Sequence, residues 1–134
     1  MAVVGFKKIL AGCVLAGVSC AGIAADVYPF EGSSWRVAAI NGEATPSTYT
    51  ISFGGNMVTG RLGCNDFGGK LKAGEASLSI TALRATSRTC GDAAGMFEGS
   101  GLAVITQPLR MEWASRDRLT IASVNGNMTL ERLP

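Results

Sequence analysis

Between residues 34 and 132, short runs rich in Val, Ile, Thr, Tyr, Phe and Trp return about every ten residues, separated by Gly, Asn and Asp. That spacing predicts an all-β sandwich or barrel. Eight segments qualify as strands: 34–40, 48–53, 57–62, 68–72, 77–83, 109–114, 118–122 and 128–132. Alternation within them assigns one buried face per strand, with Tyr49, Ile51 and Phe53 on one side, and Leu78, Ile80 and Ala82 likewise.

The connections predict antiparallel neighbours. Asn125-Gly126 is a strong hairpin signal, because both central residues of a type I′ turn need positive φ. Gly54-Gly55-Asn56 and Ser115-Arg116-Asp117 have the composition of similar turns, and residues 42–47 read as a loop. Residues 92–106 break the β pattern. Met96, Phe97, Leu102, Val104 and Ile105 fit one short helix, with Asp92 as N-cap and Pro108 beyond its end. Gly95, Gly99 and Gly101 each cost about 1 kcal/mol against Ala in a helix interior. Such a helix forms only when packed against the sheet.

Residues 1–25 read as a secretory signal peptide: Lys7 and Lys8 precede an uncharged stretch rich in Gly and Ala. Three processing sites compete. A lipobox ending at Cys13 leaves too short an apolar region, and one ending at Cys20 has Gly17 where Leu is usual. Ile23-Ala24-Ala25 supplies the small residues of ordinary cleavage. The expectation is a periplasmic or secreted protein cut after Ala24 or Ala25, with lipidation at Cys20 and an outer-membrane lipoprotein as the alternative. Residues 26–134 then form a single domain of roughly 110 residues. The whole chain has 12 basic and 10 acidic residues, and with Lys7 and Lys8 removed the two balance. A neutral domain lacks the basic stripe that phosphate-backbone binding requires, which excludes nucleic acid as the expected partner.

The chain has no histidine. Ser-His-Asp and Cys-His nucleophilic systems and His-based zinc sites are thereby excluded. Cys64 and Cys90 lie too far apart for a Cys-x-x-Cys redox motif, and two thiols do not make a tetrahedral zinc site. In an oxidising compartment they read as one structural disulfide worth roughly 3 to 4 kcal/mol in the chain-entropy model. Two buried free thiols and a reactive cysteine are the alternatives. The carboxylates are scattered, and Asp66 reads as a turn-former. Gly63, Gly68 and Gly69 lack the Lys-Ser/Thr of a phosphate loop and predict a bend or bulge. Arg116 and Arg118 around Asp117 read as solvated hairpin charges, and Trp35 and Trp113 as core or barrel-mouth residues.

Trp35 with Asn41-Gly42, the run Tyr49 to Phe53, Gly60-x-x-Gly63-Cys64-Asn65-x-Phe67-x-Gly69, Thr86-x-x-x-Cys90, Glu98, Trp113 and Leu119-Thr120-Ile121 together resemble the META domain. This is the family of the heat-shock protein HslJ. Residues 34–133 are covered, and Gly63, Asn65 and Phe67 belong to its most specific motif. Where the family usually has Thr-x-Met-Ala-Cys, this chain has Thr86-Ser87-Arg88-Thr89-Cys90. The resemblance implies a small antiparallel β-barrel-like domain of about eight strands with one helix, exported to or anchored in the bacterial envelope. It implies roles in heat induction, antibiotic tolerance or motility, with no catalytic residue and no cofactor or metal. Cys64, Asn65 and Cys90 map onto it as structural residues.

The expected function is therefore non-enzymatic: a monomer acting in stress tolerance by binding an envelope protein or a small apolar ligand. An apolar barrel open at one end would favour the ligand. A small β-barrel inhibitor of a protease or lysozyme, inserting loop 42–47, is the alternative. An enzyme using carboxylates alone would require a cleft where they converge.

Overall fold

The computed structural model describes residues 31–134. The leader, the cleavage site after Ala24 or Ala25, and Cys13 and Cys20 lie outside these residues. Nine strands and one helix follow in the order β1 (Ser33–Ile40), β2 (Glu43–Ala44), β3 (Thr50–Gly54), β4 (Met57–Arg61), β5 (Asp66–Ala73), β6 (Ser77–Ala85), α1 (Asp92–Ile105), β7 (Leu109–Ser115), β8 (Arg118–Ser123) and β9 (Gly126–Arg132). All eight expected strands are present. The ninth, β2, adds a two-residue pairing to β1 inside the stretch read as a loop.

Each barrel strand pairs antiparallel with the next, and β9 returns to β1 through Leu130 opposite Val37 and Arg132 opposite Trp35. Eight strands thus close a barrel without a free edge sequence at either end of the order. The alternation in the sequence becomes inside and outside. Tyr49, Ile51 and Phe53 are all buried, as are Leu119 and Ile121 on β8 and Met128 and Leu130 on β9. Trp35, Val37, Ile51, Val58, Leu119 and Ile121 expose no surface at all, so the lumen is solid with side chains.

The wall is irregular where the sequence pattern slips. Ala82 sits at φ 52°, and the β5–β6 register shifts between Gly68 and Lys70. This bulge turns Ala82 outward and brings half-buried Leu83 against the core, so the expected inward run of Leu78, Ile80 and Ala82 holds only for its first two members. Gly69 lies opposite, where a Cβ would come within 2.9 Å of Ile80 and 3.0 Å of the Thr81 carbonyl. A glycine is needed for that approach. The β8–β9 hairpin also differs from expectation. Its two-residue loop is Val124-Asn125, one position earlier than Asn125-Gly126, and positive φ falls on Gly126 alone. A Cβ there would collide with Asn41 Oδ1, which accepts the Asn127 N–H at 2.9 Å.

Helix α1 covers one end of the barrel. Val104 and Ile105 are fully buried, and Gly101 lies so close to Leu62 and Ile40 that a Cβ would meet them at 2.8 and 3.3 Å. The glycine that weakens the helix is thus what allows it to dock. Its N-cap is Gly91 with extended backbone and no side-chain cap, not Asp92, which instead occupies the first turn where the helix dipole favours an acid. At its other end Asn125 Nδ2 donates to the Ala103 carbonyl at 2.9 Å, fastening the β8–β9 turn to the helix. Among the described residues, no helix is long and apolar enough to cross a membrane.

Candidate functional site

The residues singled out in the sequence converge at the helix-covered end. After β4 the chain turns through Leu62, Gly63 and Cys64, and Gly63 passes so near α1 that a Cβ would sit 2.6 Å from the Ala94 carbonyl and 2.7 Å from Glu98 Cβ. This approach delivers Cys64 to Cys90. The two form a disulfide with their Cα atoms 5.6 Å apart, within the usual range for such a bridge.

Asn65 is the buried polar residue of the core, only 4% exposed. A buried amide must satisfy its donors and acceptors or lose about 1–3 kcal/mol, and here every capacity is used. Its Oδ1 accepts the Thr86 hydroxyl at 2.8 Å and the Arg88 backbone N–H at 2.7 Å. Its Nδ2 donates to the Arg88 carbonyl at 2.9 Å and to Glu98 Oε2 at 3.0 Å. The Asn65 backbone N–H donates to the other Glu98 oxygen at 3.1 Å. One asparagine therefore joins the β4–β5 turn, the segment 86–90 and the helix. Glu98 Oε1 also lies 3.5 Å from Cys90 Sγ.

Charged side chains line one side of this junction. Arg88 donates to the Cys64 carbonyl at 2.7 Å, and its guanidinium stands 3.9 Å from Asp66. Asp66 receives Arg61 at 2.8 Å. It opens β5 and is not the turn residue expected from its glycine-rich setting; the turn ends one residue earlier because Asn65 is anchored. Phe67 is buried with its ring over Gly60, where a Cβ would fall 2.8 Å from the ring edge. Tyr49 meets Phe97 edge-on, centroids 5.8 Å apart. Burial pushes the Tyr49 phenol above its ordinary value, and the charge of Glu98 adds to that.

Cys64, Cys90 and Glu98 present atoms within 4.8 Å of one another. The sulfurs are bonded to each other and so lack the thiolate character a metal ligand needs. Glu98 was named by the resemblance without a role, and no periodicity marks it, because its partners come from two distant loops. In the segment 86–90 the resemblance marks Thr86 and Cys90, and nothing in the sequence marks the Arg88 backbone that Asn65 binds.

The opposite end is built differently. Trp35 and Trp113 pack with centroids 5.9 Å apart, and the Arg132 guanidinium lies 4.4 Å over the Trp35 ring. On the outer wall an open groove of 380 Å³ runs between α1 and the β1–β2 turn, lined by Ile40, Asn41, Glu43, Met96, Phe97 and Ser100. The stretch expected to protrude as an inserting loop is folded onto the barrel. Glu43 and Ala44 pair with β1, the Thr45 N–H donates to the Ala38 carbonyl at 3.1 Å, and the Thr45 hydroxyl donates to the Val37 carbonyl.

The molecule is a closed antiparallel barrel with one end-capping helix, riveted at Gly-Cys-Asn-x-Phe. The META domain profile matches residues 28–133. The chain belongs to the META domain family. Among solved structures, one described as the NMR structure of a protein aligns at a TM-score of 0.66 with 20% identity, covering 76% of this chain and 90% of that one. The NMR structure of a protein from Burkholderia xenovorans aligns at 0.66 with 19% identity, covering 88% of this chain and 96% of that one. At these identities the likeness is one of fold. No curated protein matches the chain. In this META domain the signature residues are thus joints between the barrel, a loop and the helix.

Proposed function

We propose that this chain is an exported, non-enzymatic META-domain protein of the bacterial cell envelope, acting in heat or antibiotic tolerance by binding. The observation that carries this reading is the inward commitment of the signature. Asn65 uses every donor and acceptor on Thr86, Arg88 and Glu98, and the adjoining sulfurs are bonded to each other. Residues held in this way serve the scaffold, which leaves recognition to the outer surface. A filled lumen favours an envelope partner over a small apolar ligand. The inhibitor reading lacks similar support, since residues 43–45 lie bonded along β1.

The test is genetic and biochemical together. Deleting the gene should lower survival under heat or antibiotic challenge, and the protein should fractionate with the envelope with its new N-terminus after Ala24 or Ala25. Equal survival in every challenge, or recovery of an uncleaved cytosolic chain, would overturn the reading.

A further inference from the structure

The balanced charge of the domain conceals an uneven surface. Residues 31–134 contain ten Lys and Arg. Six of them, Arg36, Arg61, Arg88, Arg110, Arg118 and Arg132, stand in ion pairs with carboxylates. Among the described residues the other four, Lys70, Lys72, Arg84 and Arg116, do not. Three of those four share one face. Outward positions on β5 hold Lys70 and Lys72, and Arg84 on β6 is opposite Gly68. Neighbouring strands lie about 5 Å apart and alternate residues about 7 Å apart, so the three cations occupy one small area of wall.

Their surroundings reinforce the charge. Lys70 pairs across the sheet with Thr81 and Met57, Lys72 with Ser79, and Thr59 with Gly68, so hydroxyls and one thioether fill the positions between them. Asp66 at the border is already engaged by Arg61 and Arg88, and Glu75 lies beyond the patch in the β5–β6 turn. Gly68 is open: a Cβ there would make only ordinary contacts at 3.6 and 3.8 Å, so neither packing nor backbone conformation requires glycine. Its bare surface leaves the floor between Arg84, Lys70 and Thr59 uncovered. Met57, 46% exposed, is the apolar side chain beside Lys70.

We infer that the outer face of β4–β6, centred on Lys70, Lys72 and Arg84, docks the protein onto an anionic lipid surface. The cations are spread along a convex wall and do not converge on a pocket, which suits many headgroups better than one phosphate or carboxylate. Unpaired Lys and Arg gain attraction from a negative leaflet without first giving up an internal partner, and Met57 offers a side chain able to enter the headgroup region. The assignment extends the envelope reading by naming the surface the protein meets, but its assay does not depend on export.

Protein purified as the cell processes it is mixed with phosphatidylcholine vesicles, with and without phosphatidylglycerol, and bound protein is measured by sedimentation. Binding should require phosphatidylglycerol and weaken with salt, since screening shortens to roughly 3 Å at 1 M. Each charge near such a surface is worth about fivefold in partitioning, so Lys70→Gln/Lys72→Gln/Arg84→Gln should reduce binding roughly 100-fold. The exchange Lys70→Arg/Lys72→Arg/Arg84→Lys should restore it, and circular dichroism melts should confirm that both variants fold. Failure of the wild type to bind, or binding unchanged in the glutamine variant or in high salt, would overturn the inference and assign any association to a leader or lipid group. Binding to an acidic protein or polysaccharide with no vesicle association would overturn the lipid assignment as well. Loss of survival on gene deletion could coexist with any of these failures, so the two readings fail separately.

Discussion

The two ends of the barrel are closed by opposite means. At the α1 end, a disulfide, a saturated asparagine and a half-buried carboxylate tie together three segments distant in sequence. At the other end, Trp35 and Trp113 fill the lumen, with Arg132 lying over the Trp35 ring and bonded at its Nε to the Arg116 carbonyl at 3.0 Å. The wall strands supply their own neighbours through register, so the side chains that close the Trp end are already placed by β1, β7 and β9. Segment 86–90 and the helix have no strand partner, so directional bonds must hold them in place. Where regular pairing stops, specificity passes from hydrophobic volume to individual polar atoms.

That contrast predicts a ranked set of effects. Trp35→Ala should be the most damaging, costing about 4 kcal/mol in urea unfolding, because a fully buried aromatic leaves a cavity the closed wall cannot collapse into. Replacing Cys64 and Cys90 together by Ser should cost about 3 kcal/mol. Hydrogen exchange should then rise in segment 86–90 and the start of α1 while the strands around Trp35 keep their protection. An unchanged melting midpoint would show that the bridge contributes nothing. Asn65→Ala should cost about 2 kcal/mol by removing the amide that pairs with the Thr86 hydroxyl, the Arg88 backbone and one Glu98 oxygen, with exchange rising in the same places. Rising exchange at the Trp end instead would break the separation between the two.

The smallest effect belongs to the wall beside the Trp end. Bonds from Arg36 and then Arg118 hold the Glu131 carboxyl below its ordinary range. A lowered folded-state value means the stabilisation is complete above the unfolded carboxyl's value of about 4.3 and is lost as pH falls through the lowered one. Both partners are partly exposed, so the contribution stays under about 1 kcal/mol. Glu131→Gln should lower stability at neutral pH by less than about 1 kcal/mol and flatten the acid limb, so that the two stability–pH curves converge at low pH. An identical acid limb would refute the pairing.

The wall was legible in the sequence because its signal is local: each strand alternates on its own, and each turn advertises itself with Gly, Asn or Asp. The departures lie where a distant residue decides. Ala82 turns outward because Gly69 across the sheet permits a bulge, and the last hairpin turns early because Gly126 must leave space for Asn41. Gly91 caps the helix because the bridged Cys90 fixes the chain just before it. At the candidate site the cysteine pair and Asn65 could be read through the family motif. Thr86 and Glu98 belong to the resemblance as well but carry no role there, and Arg88 carries no signal, since what joins all three to Asn65 is proximity across 21 to 33 residues of chain.

The seam between β1 and β9 also fixes an order of assembly. Arg36 meets Glu131 across 95 residues, whereas Cys64 and Cys90 are separated by 26. A chain that emerges from its N-terminus, by synthesis or by export, brings the turn, the segment 86–90 and their sulfurs within reach of one another before β7, β8 and β9 have followed. Closure waits for the final strand, because β1 has no second wall neighbour until then. Long-range pairing of this kind is the slow step of folding, and until it occurs Trp35 and Val37 face water along an unpaired edge. A nascent or truncated chain lacking β9 is therefore the form of this protein most exposed to aggregation.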